Sequence, residues 1–370
     1  MMKIKKLMVL TSLFILSACG GGSSDPVAVA EEDRVGSLPL EIIEPESNPT
    51  TDDKVMLGRM LFWDPVLSGN QDVACATCHH PDNAYAEHLD ITMGVGGIGL
   101  SENRHSGTLA IRNSQTILNT AYNGIDTNGN YDPENTAMFW DNRVNSLEEQ
   151  ALNPIRSAEE MRGTAFSEED ILEVVINRLA STPEYVLLFE QAFGDSVISE
   201  TRIAQAIAAF ERALLSNNSR FDQYARGDDN ALTDQEIRGL NAFNDAGCNV
   251  CHVGPMFSDF ELHNLSVEHN DKLAEVDNGV DGKFRTPSLR NVALTAPYMH
   301  NGTVATLRDA INFYGGIENP SNDPDLAQLD FDNDASGVIE AFLRTLTDEN
   351  FDKTIPDSVP SGLNPGGDIN

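Results

Sequence analysis

Cys75-Ala76-Thr77-Cys78-His79 recurs in form as Cys248-Asn249-Val250-Cys251-His252. C-x-x-C-H is the attachment sequence of a c-type haem. Two cysteines three positions apart share one helical turn, so both sulfurs reach the vinyl groups of one porphyrin as thioethers. The adjacent histidine is then placed as proximal iron ligand. The rival chemistries for C-x-x-C are zinc binding and thiol redox exchange. A structural zinc closes four ligands and would use the two cysteine pairs together, which leaves His79 and His252 unexplained. The paired motifs therefore predict two covalently bound haem c groups, held by Cys75, Cys78 and His79 and by Cys248, Cys251 and His252, and they point to redox chemistry.

The first residues bear on compartment. Lys3, Lys5 and Lys6 precede an apolar run from Leu7 to Leu16 and the small residues Ser17-Ala18, the pattern of a secretory signal over residues 1–18. The apolar run is too short to span a bilayer. Leu16-Ser17-Ala18-Cys19 resembles a bacterial lipobox, so cleavage would leave a lipidated Cys19 as the new N-terminus; ordinary cleavage nearby is the alternative. Gly20 after Cys19 resembles lipoproteins of the outer membrane. The expected location is the periplasm, with membrane contact only through the lipid anchor. Of five cysteines, one goes to lipid and four to haem, leaving none for a disulfide.

A formal charge of −34 argues against nucleic acid as partner and favours a basic one such as a small cytochrome. An acidic, solvated surface of a salt-adapted proteome accounts for it equally well. A chain of 370 residues exceeds what one core normally supports. Residues 19–51, rich in Gly, Ser, Pro and acidic side chains, read as a flexible tether, and 352–370 as a loose tail. Between them the apolar spacing is helical. Ser167 to Asp170 precede a stripe of Ile171, Val174, Val175 and Leu179; Ile203, Ile207, Phe210 and Leu214 form another. Thr233-x-x-Glu236 is a capping box before Ile237, Leu240 and Phe243, and Val338 to Leu346 close the pattern. No long alternating strand is present. The fold class is therefore mostly α, with two cytochrome c-like domains over 52–214 and 215–351, each carrying one covalent haem.

Further motifs lie between the haem sequences. Arg112-Asn113-Ser114, Phe139-Trp140-Asp141-Asn142-Arg143, Glu148-Glu149-Gln150-Ala151, Pro154-Ile155, Glu160-Met161, Phe284 to Asn291 and Thr295-Ala296-Pro297-Tyr298-Met299-His300-Asn301-Gly302 resemble, in this order, the bacterial di-haem cytochrome c peroxidases and the related MauG enzymes. The resemblance runs from about Val55 to Leu346. It implies haems facing across the domain interface. The implied activity is reduction of hydrogen peroxide to water with electrons from a small cytochrome c or cupredoxin, in a chain able to form a homodimer. By position Glu160 matches the acid-base glutamate, Gln150 a neighbouring pocket residue and Trp140 the tryptophan between the haems. His105 falls where the peroxidases keep a distal histidine that leaves the first haem before peroxide binds; His80 and His88 are rivals by proximity. Arg143 and Arg290 suit haem propionates or structural ion pairs equally.

At the second haem, the place of the peroxidases' axial methionine is taken by Tyr314, with Met299 as the alternative ligand. A tyrosine there resembles MauG, and a phenolate stabilises ferric and higher states. The alternative function is thus MauG-like oxidation of Trp or Tyr side chains on a partner protein through a high-valent di-haem intermediate. A non-enzymatic di-haem electron-transfer cytochrome with both irons closed is the reading from another class. The resemblance also implies a calcium ion held by the Asn113 side chain and the carbonyls of Thr295 and Pro297. Gly94-x-Gly96-x-x-Gly99 fits a dinucleotide pattern without its strand and helix, and Asp126-x-Asn128-x-Asn130 begins like an EF-hand with Tyr131 in place of glycine; both read as loops.

Overall fold

The computed structural model describes residues 36–316 and 323–369. The signal segment, Cys19 and the tether up to residue 35 lie outside the described residues. No helix among those described is long and apolar enough to cross a membrane. The chain is mostly helical, and the named strands are one antiparallel pair, β1 (Leu262–His263) and β2 (Phe284–Arg285).

Helix α1 (Asp52–Trp63) starts at Thr51, whose side chain accepts from the Lys54 amide, with Asp52 and Asp53 favourably placed in its first turn. After α2 (Cys75–Cys78) and a long irregular segment come α3 (Leu147–Arg156), a π-helical turn (Ala158–Arg162), α4 (Ile171–Ala180), α5 (Pro183–Phe193) and α6 (Glu200–Arg212). Helix α6 returns against α1, and their closest approach is at Gly58, where any Cβ would run into the Ala206 carbonyl. Around this crossing Leu57, Leu61, Val175, Phe189, Ile203 and Ile207 form one core.

The second half repeats the scheme. It holds α7 (Arg220–Ala225), α8 (Asp234–Asp245), α9 (Leu307–Phe313) and α10 (Ser336–Arg344). The expected capping box opens α8: Glu236 accepts from the Thr233 amide at 2.8 Å while Thr233 accepts from the Glu236 amide at 3.4 Å. Helix α10 crosses α8 at Gly239, whose missing Cβ makes room for the Val338 carbonyl. Phe221, Leu240, Phe243, Phe257 and Phe342 pack into a second core. Each such apolar side chain contributes roughly 1.5–3 kcal/mol on burial. In both halves the helix leading into C-x-x-C-H is thus clamped by the half's last long helix through a glycine contact.

Two expectations fail. The stretch expected to be a loose tail is docked over 352–369: Ser361 donates to Asp64 at 2.7 Å, Gly366 donates to the Trp63 carbonyl at 2.7 Å, and Thr77 donates to the Gly366 carbonyl at 2.8 Å. Its prolines and glycines bar a helix, yet they shape turns that bring the backbone onto the first core. The end of the expected tether is also fixed. Leu38 is fully buried, its amide donates to Asp222 at 2.9 Å, and Tyr122 donates to the Pro39 carbonyl at 2.7 Å.

Candidate haem centres

At the first motif, Thr77 tightens α2 by accepting from the Ala74 amide at 2.9 Å. His79 leaves the helix as its C-cap, and its Nδ1 donates to the Tyr85 carbonyl at 3.0 Å. At the second motif Gly247, at φ +81°, turns the chain after α8, and Nδ1 of His252 donates to the Phe257 carbonyl at 2.8 Å. The two imidazoles are therefore oriented alike, with Nε2 left for a metal, as in ligating histidines generally. Burial lowers the pKa of both, which favours the neutral ring a metal requires. None of the four motif cysteines is in a disulfide. Burial pushes Cys75 and Cys248 up to about 12 and Cys78 well above the usual range. Zinc needs thiolates, and among the described residues no cluster of ligand atoms joins cysteines of both pairs. The donor sets fit two separate haems instead.

The second centre borders a cavity of about 400 Å³ whose walls include Phe243, Cys248, Cys251, His252, Val292 and Ile311. Such a mainly apolar cleft suits a large planar ligand. Both candidate distal ligands, Tyr314 and Met299, line the same cavity. Burial raises the Tyr314 phenol, with the Cys248 and Cys251 charges next, so its hydroxyl lies near the attachment sulfurs.

Glu160 sits in the π-helical turn that follows α3. Pro154 lacks an amide hydrogen near the end of that helix, and Ser157 then accepts from the Glu160 amide at 3.3 Å. Single π turns recur at functional sites. Burial lifts the Glu160 carboxyl above the usual range, while Arg143 and Arg112 oppose the shift. Its charge in turn raises both Cys75 and Cys78, which places the carboxyl at the first motif. Gln150 is half-buried on α3. Trp140, 9 % exposed, lines the second cavity and donates its indole N–H to the Asn113 carbonyl at 3.0 Å.

His105 lies at the surface. Its ring is exposed, with Nδ1 at 3.0 Å from the Asn103 carbonyl, while the neighbouring Arg104 is buried beside Cys78. Consecutive residues of an extended segment face opposite ways, so only one of the two can point inward. Of its rivals, His80 is buried edge-on against Trp63 and His88 meets the Leu294 carbonyl at 3.3 Å. Arg290 is spent on a buried ion pair with Asp222 at 2.9 Å, and Arg143 pairs with Asp141 while covering the Phe139 ring. Asn113, Thr295 and Pro297 border one cavity, with the Asn113 amide nitrogen donating to the Leu89 carbonyl at 2.7 Å and so leaving Oδ1 for another partner.

Residues the sequence did not single out complete the arrangement. His300 stacks on Phe284 at 3.6 Å and meets Trp140 edge-on at 6.5 Å. Arg112 bridges Asp141 at 2.7 Å and Asp277 at 2.5 Å, tying the two halves beside Trp140. Glu87 and Glu211 are buried carboxyls next to the first motif. Arg112, Asp141, Phe284 and His300 stood within quoted motifs without a role assigned to them; nothing in the local sequence marks the two acids. Of the two loop readings, Gly94 lies against the Glu159 and Glu160 backbone where a Cβ would collide, and Asp126 accepts from the Asn128 and Asn130 amides, both at 2.8 Å.

Comparison with known proteins agrees with this geometry. A family model described as di-haem cytochrome c peroxidase matches residues 52–230. The methylamine utilization protein MauG of Methylophilus methylotrophus is 34% identical over 318 residues, covering 83% of this chain and 86% of that protein. The cytochrome c551 peroxidase of Nitrosomonas europaea is 33% identical, with 87% of each chain covered. Among solved structures, a MauG-like protein associated with microbial copper homeostasis superposes with a TM-score of 0.69 at 28% identity, covering 84% of this chain and 95% of that one. The two C-x-x-C-H turns on a mostly helical frame, together with these relatives, make the chain a member of the di-haem cytochrome c peroxidase and MauG family of oxidoreductases.

Proposed function

We propose that the chain reduces hydrogen peroxide to water at the first haem, with electrons entering from a small basic cytochrome c or a cupredoxin and passing through the second. The first domain, 52–214, would hold its haem through Cys75, Cys78 and His79; the second, 215–351, through Cys248, Cys251 and His252 with Tyr314 opposite. When bound, the haems supply the redox-active iron. The observation that carries the reading is the half-buried Glu160 carboxyl beside the first motif, its pKa raised by burial. Glu160 takes the proton from the inner oxygen of peroxide and returns it to the outer one, which leaves as water; two electrons and two protons in all convert one peroxide to two waters. Gln150 helps orient the peroxide. Trp140 bridges towards the second cavity, and Asn113 with the Thr295 and Pro297 carbonyls would hold a calcium ion near it. The lipid-anchored, periplasmic setting inferred from residues 1–19 is where such donors are found.

Two observations favour the MauG-like alternative, oxidation of a partner protein's Trp or Tyr side chains. The His105 ring faces solvent, and Tyr314 borders the second cavity together with Met299. Treating the fully oxidised protein with peroxide and recording its EPR spectrum separates the readings. A strict need for prior one-electron reduction supports the scavenger; direct reaction of the oxidised form supports the alternative. Two unreactive low-spin haems under both conditions would reject both enzyme readings.

A further inference from the structure

The two attachment sulfurs of the first centre each have a buried acid beside them, and among the described residues the second centre has no such pair. Glu87 is 1 % exposed, and neither carboxylate oxygen makes a hydrogen bond of good geometry; the Thr92 side chain and the Met93 backbone lie close enough to favour its ionised form, against the larger effect of burial. Its charge is the largest electrostatic influence on the Cys78 thiol. Glu211, on α6, is 5 % exposed with Oε2 unpartnered, and its charge is the largest such influence on Cys75. Buried polar atoms without partners are rare in native proteins and call for an explanation. At the second centre the charged groups near Cys251 and His252 are Asp259 and His263, and these pair with each other at 2.9 Å.

We propose that Glu87 and Glu211 are the groups that take up a proton when the first haem is reduced. The inference rests on the reading that Cys75 and Cys78 carry that haem. In the coupled step one electron, from the small redox-protein donor or from an electrode, converts ferric to ferrous iron. One carboxylate then binds one proton from solvent, so the net charge of the buried site does not change. Two buried carboxylates next to an iron that gains negative charge are unfavourable in a low dielectric, and a proton removes the conflict. Both groups are poised for it: burial pushes each up to about 8. The charges facing Glu87 are Arg104 and Asp90. Those facing Glu211 are Arg212 on its own helix and Glu148 on α3, while Arg59 of α1 lies over the adjacent Phe210 ring. Glu160 completes the set, since its charge reaches both cysteines.

The test is a spectroelectrochemical titration of the two-haem protein across the pH range around 8, with the haems followed separately. The first haem's midpoint potential should fall as pH rises, approaching 59 mV per unit where one proton accompanies one electron. The second haem's potential should stay level over the same range. Glu87→Gln combined with Glu211→Gln should flatten the first haem's dependence, each single variant partly. A level wild-type potential, or a slope that survives in the double variant and so belongs to a haem propionate, overturns the proposal. Redox-difference infrared spectra of the wild type give a second readout free of folding effects: a protonated-carboxyl band must grow on reduction, and its absence counts against the proposal. Failure of the underlying haem assignment shows separately, as one haem per chain instead of two with no porphyrin on the Cys75–Cys78 peptide.

Discussion

The indole of Trp140 donates to the carbonyl of Asn113 at 3.0 Å, so the aromatic ring between the two motifs is held by a residue whose own side chain donates to the Leu89 carbonyl at 2.7 Å. Trp140→Phe leaves that carbonyl unsatisfied in a buried setting, at a cost of roughly 1–3 kcal/mol. The variant should keep both haems, melt earlier and pass electrons between the haems more slowly. Calorimetry and stopped-flow reduction measure the two effects, and unchanged inter-haem transfer would remove the ring from the route.

Glu160→Gln should retain both haems but slow peroxide cleavage by roughly 10²- to 10⁴-fold, the range general acid–base groups supply. Because burial raises this carboxyl, the ionised form that accepts a proton is reached only above the usual carboxylate range. The wild-type rate should therefore fall on acidification along a limb displaced upward in pH, and the variant should lack that limb. Initial rates against pH decide it.

Tyr314→Phe should change the optical and EPR spectra of the second haem alone, while Met299→Leu leaves them in place. The reverse outcome transfers the ligand role to Met299, which borders the same cavity.

Gly58→Ala and Gly239→Ala each drive a methyl into a carbonyl across a helix crossing, Ala206 in one half and Val338 in the other. Overpacking of this kind costs roughly 1–3 kcal/mol. Each variant should lower the denaturation midpoint, and a neutral effect at either site would show that the crossing relaxes.

His263 lies between Asp259 at 2.9 Å and Asp323 at 3.2 Å, and the Asp259 carboxylate first, with a hydrogen bond to the Cys251 sulfur second, raises its pKa from 6.5 to about 11. A folded-state value above the unfolded one favours the native state while the ring is charged. That contribution is complete below 6.5 and is lost as pH rises through about 11. Melting temperature should accordingly decline on going from neutral pH to about 11, and His263→Gln should flatten the decline.

The helical frame and both C-x-x-C-H turns were legible because they are local: apolar spacing, Thr233-x-x-Glu236 and the motif itself carry their meaning within a few residues. Glu87 and Glu211 were not, because a carboxylate looks the same in sequence whether solvated or buried, and only distant packing strips away its partners. The inward turn of Arg104 beside the exposed His105 was not legible either, because it depends on backbone alternation that no local pattern announces. The docking of 352–369 escaped for a related reason: proline and glycine announce the absence of a helix and say nothing about burial.

That docking reverses the order in which the first centre is made and finished. Thr77, inside the first C-x-x-C-H, completes its hydrogen bonding only with the carbonyl of Gly366. During synthesis the pentapeptide emerges early, yet its turn waits for residues made nearly three hundred positions later. A change near Gly366 is therefore felt first at the turn of the first C-x-x-C-H.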